Sequence, residues 1–262
     1  MLEELYTQAF WVGLLKIIGV NLILSGDNAV VIALAARSLP PKQQTAAVLW
    51  GSGAAVVMRI ILTIFAVALL TLPWLKLVGS LLLFWIGVKL LIPEEGSEDI
   101  NASDNLIAAI KTILIADLVM SIDNVIAVAA AAQGSLTLLI LGLAISIPLV
   151  IFGSTLLLHL MERWPVIITI GGGLLGFVAG EMLVTDPALK GWLEGLGVAF
   201  DGEKPKVGGI SLEIICGLVG AVIVIAAGTF LGKRRAMKAA VHEAAVEVDR
   251  QDAAVKAERP KS

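Results

Sequence analysis

Two short stretches place carboxylate, amide and hydroxyl side chains inside long apolar runs. Residues 21–28 read NLILSGDN and residues 117–124 read DLVMSIDN. The polar residues are Asn21, Ser25, Asp27 and Asn28 in the first stretch, and Asp117, Ser121, Asp123 and Asn124 in the second. On a helix, positions i, i+4 and i+7 share one face, so each stretch presents three aligned polar groups, with its S-x-D-N aspartate about 100° away. Ionisable groups at such depth are costly and usually face a polar interior or an ion path.

All eight side chains offer oxygen atoms. Oxygen ligands suit hard cations such as Mg²⁺, Ca²⁺ and Mn²⁺. The two histidines, His159 and His242, and the single Cys216 lie elsewhere, which argues against a zinc, copper or nickel site and excludes an internal disulfide. We therefore predict a site for a divalent cation that is a substrate, with no bound cofactor.

A structural interpretation competes with the ion site. Asn and Ser in membrane helices often hold helices together by interhelical hydrogen bonds, and a buried Asp can pair with a buried Arg such as Arg59 in the predicted second span. Arg59 is then a counter-charge, the alternative being a gating or coupling group. Glu181 is either a solvated rim charge or a coupling carboxylate. The duplication of the motif favours the ion site.

Composition places these motifs in a membrane. Of 262 residues, 58% are hydrophobic and 16% are charged, whereas a soluble domain carries about 25% charged residues. Many apolar runs reach the roughly 20 residues that cross a bilayer as a helix. We predict an all-α polytopic membrane protein with about seven transmembrane helices, at residues 9–36, 46–72, 74–92, 106–132, 135–160, 165–185 and 210–231.

The two motifs are parts of a longer internal repeat. Asp27 and Asp123 lie 96 positions apart, and GSLL at 79–82 matches GGLL at 172–175 at an offset of 93. Because each copy holds three spans, the copies cross the membrane in opposite directions, which is the inverted-repeat plan of many transporters. We expect units 1–92 and 106–185 separated by a polar loop 93–105, then an external loop 186–209, a seventh helix 210–231 and a charged cytoplasmic tail 232–262.

Local sequence also predicts the orientation of the chain in the membrane and an interruption of the first span. Basic residues flank the ends of the spans at Arg163 and at residues 233–235, so we expect the N-terminus outside and the C-terminus in the cytoplasm. Gly26 favours an interruption in the first span, whereas the second copy has Ile122 at that place and favours a continuous helix.

Several functional classes are disfavoured. The chain has no GxxxxGK[ST] stretch for coupling to ATP, and its Asp-Asn pairs are not set in the glycine-rich motif of aspartyl proteases, so we do not expect an enzyme. The net charge of −3 is spread along the chain and indicates no nucleic-acid partner. The expected partners are the divalent ion and the lipid bilayer, with a homo-oligomer as a further candidate.

Three segments resemble the short branch of the TerC family of integral membrane proteins. They are NLILSGDNAVVIALAAR (21–37), DLVMSIDNVIAVAAAA (117–132) and GFVAGEMLVTDP (176–187), and the resemblance covers roughly residues 8–231. It implies export of Mn²⁺ across the bacterial cytoplasmic (inner) membrane, with Asp27, Asn28, Asp123 and Asn124 handling the metal and Asn21 and Asp117 as the next candidates. Two alternatives stay open. One is transport of Ca²⁺ or another cation; the other is a membrane partner of the secretion machinery that supports metalation of exported enzymes without transporting by itself.

Overall fold

The chain folds into a bundle of long helices. The computed structural model describes residues 8–24, 26–65, 72–92, 102–132, 135–202 and 204–258. Within these residues the helices are α1 (Gln8–Leu24), α2 (Gly26–Ala36), α3 (Pro41–Ile64), α4 (Leu75–Leu91), α5 (Ala102–Ala132), α6 (Leu136–Arg163), α7 (Val166–Val184), α8 (Pro187–Gly195) and α9 (Leu212–Glu258). The predicted class, an all-α polytopic membrane protein, is confirmed.

The described helices include most of the predicted spans. Helices α3, α5, α6, α7 and the first part of α9 are long and apolar enough to cross a membrane, and α1 with α2 adds a sixth if this bent pair is one span. Helix α4 has 17 residues, about 25 Å of helix, which is at the short end of what crosses a bilayer. The count of seven therefore remains a prediction that depends on α4 and on the α1–α2 pair.

The outer surface of the bundle is apolar. Large side chains such as Trp50, Phe152 and Val222 are about two-thirds exposed, and many leucines and isoleucines on the same helices are also exposed. A water-soluble protein would not expose so large an apolar surface. The exposed side chains are those that lipid tails would cover, so the pattern agrees with a membrane-embedded protein.

Helix boundaries follow from local chemistry. Helix α3 begins at Pro41 and α8 begins at Pro187; proline suits a first helical position because its φ is already helical and its missing N–H would be unpaired there. The Ser135 hydroxyl accepts a hydrogen bond from the Leu138 N–H at 3.3 Å and caps α6. These caps place the connections at the ends of the bundle.

The helices pack mainly across the two predicted repeats. Helix α3 packs against α5, α1 and α2 pack against α6, and α4 packs against α7. The large apolar core lies among α2 to α7, and a smaller core joins α1 to the end of α5 and the start of α6. The two predicted repeats therefore interlock, and each buries its apolar faces mostly against the other.

Glycines bring α7 and α9 into backbone contact. A Cβ added at Gly176 would collide with the carbonyl oxygen of Gly220, and one added at Gly180 would collide with the carbonyl oxygen of Cys216. Small residues at such positions are a common means of close helix packing in membranes. Helix α9 also contacts α4, so α4, α7 and α9 form a closely packed group.

The predicted external loop has structure of its own. After α8, the strands β1 (Ala199–Asp201), β2 (Lys204–Val207) and β3 (Ile210–Ser211) form an antiparallel sheet in the order β1-β2-β3. The sequence analysis did not anticipate this sheet. At the other end of α9, the helix continues without interruption from the predicted span through Glu258, so residue 231 is not a helix end.

Candidate functional site

A buried arginine joins the two polar motifs. Arg59, on α3, is 4% exposed. Its Nη1 donates a hydrogen bond to Asn21 Oδ1 at 2.8 Å, and its Nη2 donates to Asp117 Oδ1 at 2.5 Å. Its Nε donates to Ser121 Oγ at 3.0 Å. The guanidinium therefore contacts one residue of the first motif and two of the second.

The acceptors of Arg59 are themselves buried and connected. The exposed fractions of Asn21, Ser121 and Asp117 are 1%, 0% and 6%. The Ser121 hydroxyl donates to the second carboxylate oxygen of Asp117 at 3.2 Å, so both oxygens of that carboxylate are engaged. An arginine does not lose its proton in a protein, and an unpaired buried charge is strongly destabilising. The charge of Arg59 is thus held by a matching carboxylate and two neutral oxygens.

The α3 helix positions Arg59 through one buried face. Ser52, Ala55, Arg59 and Thr63 are all buried and recur at helical spacing on that face. The Thr63 hydroxyl donates to the Arg59 carbonyl oxygen at 2.7 Å. Gly51 permits the approach of α5, because a Cβ there would lie 2.8 Å from the side chain of Ile113. The close helix pair lets the guanidinium reach Asp117 on α5.

The first motif lies at a break in its span. The helix axes of Phe10–Asn21 and Gly26–Ala36 differ by 48°, which confirms the predicted interruption at Gly26. A Cβ at Gly26 would meet nothing within 4 Å, so its contribution is a weaker helix rather than a close contact. Asp27 lies in the first turn of α2, where its Oδ1 accepts the Asn28 N–H at 2.8 Å. A carboxylate is favoured at a helix N-terminus by the helix dipole.

The second motif lies inside a continuous helix. Helix α5 runs from Ala102 to Ala132 through Asp117 and Ser121 without interruption, as predicted from Ile122. The two copies therefore differ in backbone although their polar residues correspond. Asn21 and Asp117, which align with each other in the two copies, both bind Arg59.

Most of the remaining predicted residues lie on α2, α5 and α7, and the rest lie outside the described part. Asp27 is close enough to Arg59 and Asp117 for a Coulombic interaction with each. Asn28 is buried, Asn124 is half-buried on α5, and Glu181 is half-buried on α7. Ser25 and the side chain of Asp123 lie outside the described residues.

The described side chains do not form an open metal site in this conformation. Within the described part of the chain, no three acidic, histidine or cysteine side chains come together as a metal cluster. The oxygens of Asn21, Asp117 and Ser121 face the Arg59 guanidinium instead. The arrangement is that of an oxygen-rich cluster whose positive charge comes from the protein.

Asp186 is a structural residue that sequence analysis missed. It is 1% exposed; its Oδ1 accepts the N–H groups of Trp74 at 3.0 Å and Ala188 at 2.8 Å, and its Oδ2 accepts that of Leu77 at 2.9 Å. One carboxylate thus caps α8 and holds the start of α4. The Asp-Pro pair at 186–187 signals the cap of α8, but no local signal indicates the contact with α4, more than 100 residues away.

A known protein family and several known membrane proteins match this chain over most of its length. Residues 6–236 match the family described as the integral membrane protein TerC family. The chain is 47% identical over 181 residues to the membrane protein YjbE of Bacillus subtilis (strain 168), which covers 69% of this chain and 83% of YjbE. It is 28% identical over 174 residues to the membrane protein YceF of the same bacterium, 61% of this chain and 66% of YceF.

A more distant relative is the UPF0053 protein YegH of Escherichia coli (strain K12), 27% identical over 187 residues, which span 64% of this chain and 35% of YegH. No solved structure matches. The family match includes both polar motifs and extends over the residues predicted from the resemblance. The chain belongs to the TerC family of integral membrane proteins.

Proposed function

We propose that this protein is a secondary transporter that exports a divalent metal cation, Mn²⁺, across the bacterial cytoplasmic membrane. The observation that supports it is the meeting of Asn21 and Asp117, aligned residues of two motifs, at one buried polar cluster inside an apolar helix bundle. Transporters built from inverted repeats carry their substrate sites where the repeats meet. A polar cluster built only to hold two helices together does not need matching residues from both copies.

The packing of the helices supports the proposed inverted repeat. Helix α3 packs against α5, while α6 packs against α1 and α2; α4 contacts α5, while α7 contacts α2. If each span is replaced by its counterpart in the other copy, the contact of α3 with α5 becomes that of α6 with α1 and α2. The contact of α4 with α5 likewise becomes that of α7 with α2. A two-fold axis between residues 1–92 and 106–185 would produce that pattern.

The proposed site uses oxygen ligands from both motifs. Asp27, Asn28, Asp123 and Asn124 bind the ion, and Asn21, Ser25, Asp117 and Ser121 complete its coordination in the transporting state. This donor set fits Mg²⁺, Ca²⁺ and Mn²⁺, and our choice of Mn²⁺ among them is a proposal that rests on the family resemblance. Carboxylates that release a metal can take up protons, so proton antiport is the proposed driving force, with Glu181 as a coupling candidate.

The proposed orientation places the C-terminus in the cytoplasm. Four basic side chains are exposed on α9 where it leaves its apolar segment: Lys233, Arg234, Arg235 and Lys238. Basic residues at the end of a span remain on the cytoplasmic side. Export from that side requires the ion to enter near the cytoplasmic ends of α2 and α5.

The test is Mn²⁺ flux into liposomes that contain only the purified protein. We expect Asp27→Asn and Asp123→Asn to lower flux by about a hundredfold, since each removes a charged ligand, whereas the matched control Asp201→Asn, on the exposed sheet, keeps the native rate. Competition by Ca²⁺ and Mg²⁺ ranks the ions. Native flux in both folded variants contradicts the proposed site.

The same assay separates the second candidate function. A membrane partner of the secretion machinery that supports metalation of exported enzymes would pass no ions without its complex. Absence of flux from folded wild-type protein under all ion gradients would therefore favour that role.

A further inference from the structure

We propose that Arg59 is a tethered cation that occupies the oxygen cluster when the transported ion is absent. The proposal rests on the transport function above and concerns the regulation of the same site. In the empty protein, the guanidinium binds the oxygens that the ion needs. When the ion enters, Arg59 leaves them; when the ion departs, Arg59 returns.

The first reason is competition for the same atoms. Arg59 already takes Asp117 Oδ1, Asn21 Oδ1 and Ser121 Oγ. A hard divalent ion binds such oxygens at about 2.0–2.6 Å. An ion at Asp117 Oδ1 would share that oxygen with the guanidinium and place two positive groups side by side in a buried region, where their repulsion is weakly screened. Ion binding and the observed hydrogen bonds therefore compete for the same oxygens.

The second reason is that Arg59 has no positively charged counterpart in the second copy of the repeat. Residues 152–155, which lie 93–96 positions after Arg59, read FGST and contain no positive charge. A counter-charge needed by each repeat for folding would be expected in both copies. A single cation that contacts Asn21 of one copy and Asp117 of the other instead serves the cluster that they form together.

The third reason is the charge of the empty site. Asp117 is 6% exposed, and without Arg59 its carboxylate would be buried without a counter-ion once the metal leaves. With Arg59 in place, the Arg59–Asp117 pair is neutral, so the empty protein can change conformation without leaving the Asp117 charge uncompensated. Arg59 thus permits the return step of net export. It also lowers the affinity of the site for the ion, because the ion must displace the guanidinium.

The experiment compares wild-type protein with Arg59→Gln, using full-length purified chains and Mn²⁺ alone. The matched control is Lys76→Gln, which removes the other buried positive charge found among the described residues, on α4. Binding is measured by calorimetry in detergent, and net efflux and Mn²⁺/Mn²⁺ exchange are measured separately in liposomes. We expect Arg59→Gln to lower the Kd for Mn²⁺ by about tenfold or more, retain exchange and lose about nine-tenths of net efflux, while Lys76→Gln changes none of the three.

Each outcome decides the proposal. An Arg59→Gln protein with wild-type net efflux or wild-type affinity overturns it, as does a folded variant that loses exchange and net efflux equally. If Arg59→Gln does not fold, Arg59→Lys replaces it: the shorter ammonium keeps the charge but cannot form the same three-point contact, so the Kd should fall while net efflux persists, and a wild-type Kd overturns the proposal. Wild-type protein that neither binds nor moves Mn²⁺ refutes the transport function itself and this inference with it.

Discussion

Asp186 provides the sharpest test of how the structure is held together at one end of the bundle. Its carboxylate accepts hydrogen bonds from the backbone N–H groups of Trp74, Leu77 and Ala188. Trp74 has a φ of 71°, in the left-handed region that a non-glycine residue adopts only when its surroundings fix it. We therefore expect Asp186→Ala to release both the start of α4 and the start of α8.

The magnitude follows from the hydrogen bonds that the substitution removes. Removing an N-terminal cap costs about 0.5–2 kcal/mol per helix, and here two helices lose theirs. Asp186 is 1% exposed, so water does not readily replace the missing acceptor, and the cost should lie near the upper end, about 3 kcal/mol in total. Asp186→Asn keeps one acceptor oxygen but turns an amide N–H₂ toward a backbone donor, so we expect the free energy of unfolding to fall by about 1.5–2 kcal/mol.

The assay is denaturant unfolding of the purified protein in detergent micelles, followed by far-ultraviolet circular dichroism. The control is Asp201→Ala, which alters an exposed aspartate in the same external segment and should leave the free energy of unfolding nearly unchanged. A decrease below about 1 kcal/mol for Asp186→Ala would refute the double-cap argument.

The remaining predictions concern helix contact and the external sheet. Gly176→Ala should lower the free energy of unfolding by about 1–3 kcal/mol, because the new Cβ collides with the Gly220 backbone. The control Gly53→Ala, whose Cβ meets nothing within 4 Å, should be neutral or slightly stabilising. Both variants are measured by the same unfolding assay. Lys206 donates a hydrogen bond to Asp201 at 2.7 Å, and this bond together with its positive charge lowers the pKa of Asp201 below the ordinary value. The pair therefore stabilises the sheet at pH values above the unfolded-state pKa of Asp201. This contribution is lost as the pH falls through the folded-state pKa. Lys206→Gln should raise that pKa back toward its ordinary value in an NMR titration, and an unchanged value would contradict the pairing.

The polar motifs illustrate how far local sequence reaches. Helical spacing predicts a polar face in each motif, and residues of both faces, Asn21 in one and Asp117 with Ser121 in the other, accept hydrogen bonds from Arg59. Gly26 and Ile122 predict which copy is interrupted, and the helix boundaries agree. These features are readable because helix geometry and glycine propensity act over a few residues.

The position of Arg59 could not be derived in the same way. Its sequence neighbours are apolar, so the sequence left two roles open for Arg59, a structural counter-charge and a gating group. The contacts with Asn21 and Asp117 arise from residues 38 and 58 positions away, so they depend on how α3 packs beside α5. The same limit applies to Asp186, whose cap of α8 is local and whose bonds to Trp74 and Leu77 are not.

The sequence by itself determined that this is a helical membrane protein with two related polar motifs, because apolar run length, helical spacing and internal repetition are properties of the chain read in order. Tertiary structure alone decided which oxygens face which charge, how α7 and α9 come into backbone contact, and that the strands β1, β2 and β3 form a sheet. These features depend on contacts between distant segments, whose distances and angles are set by packing across the whole bundle.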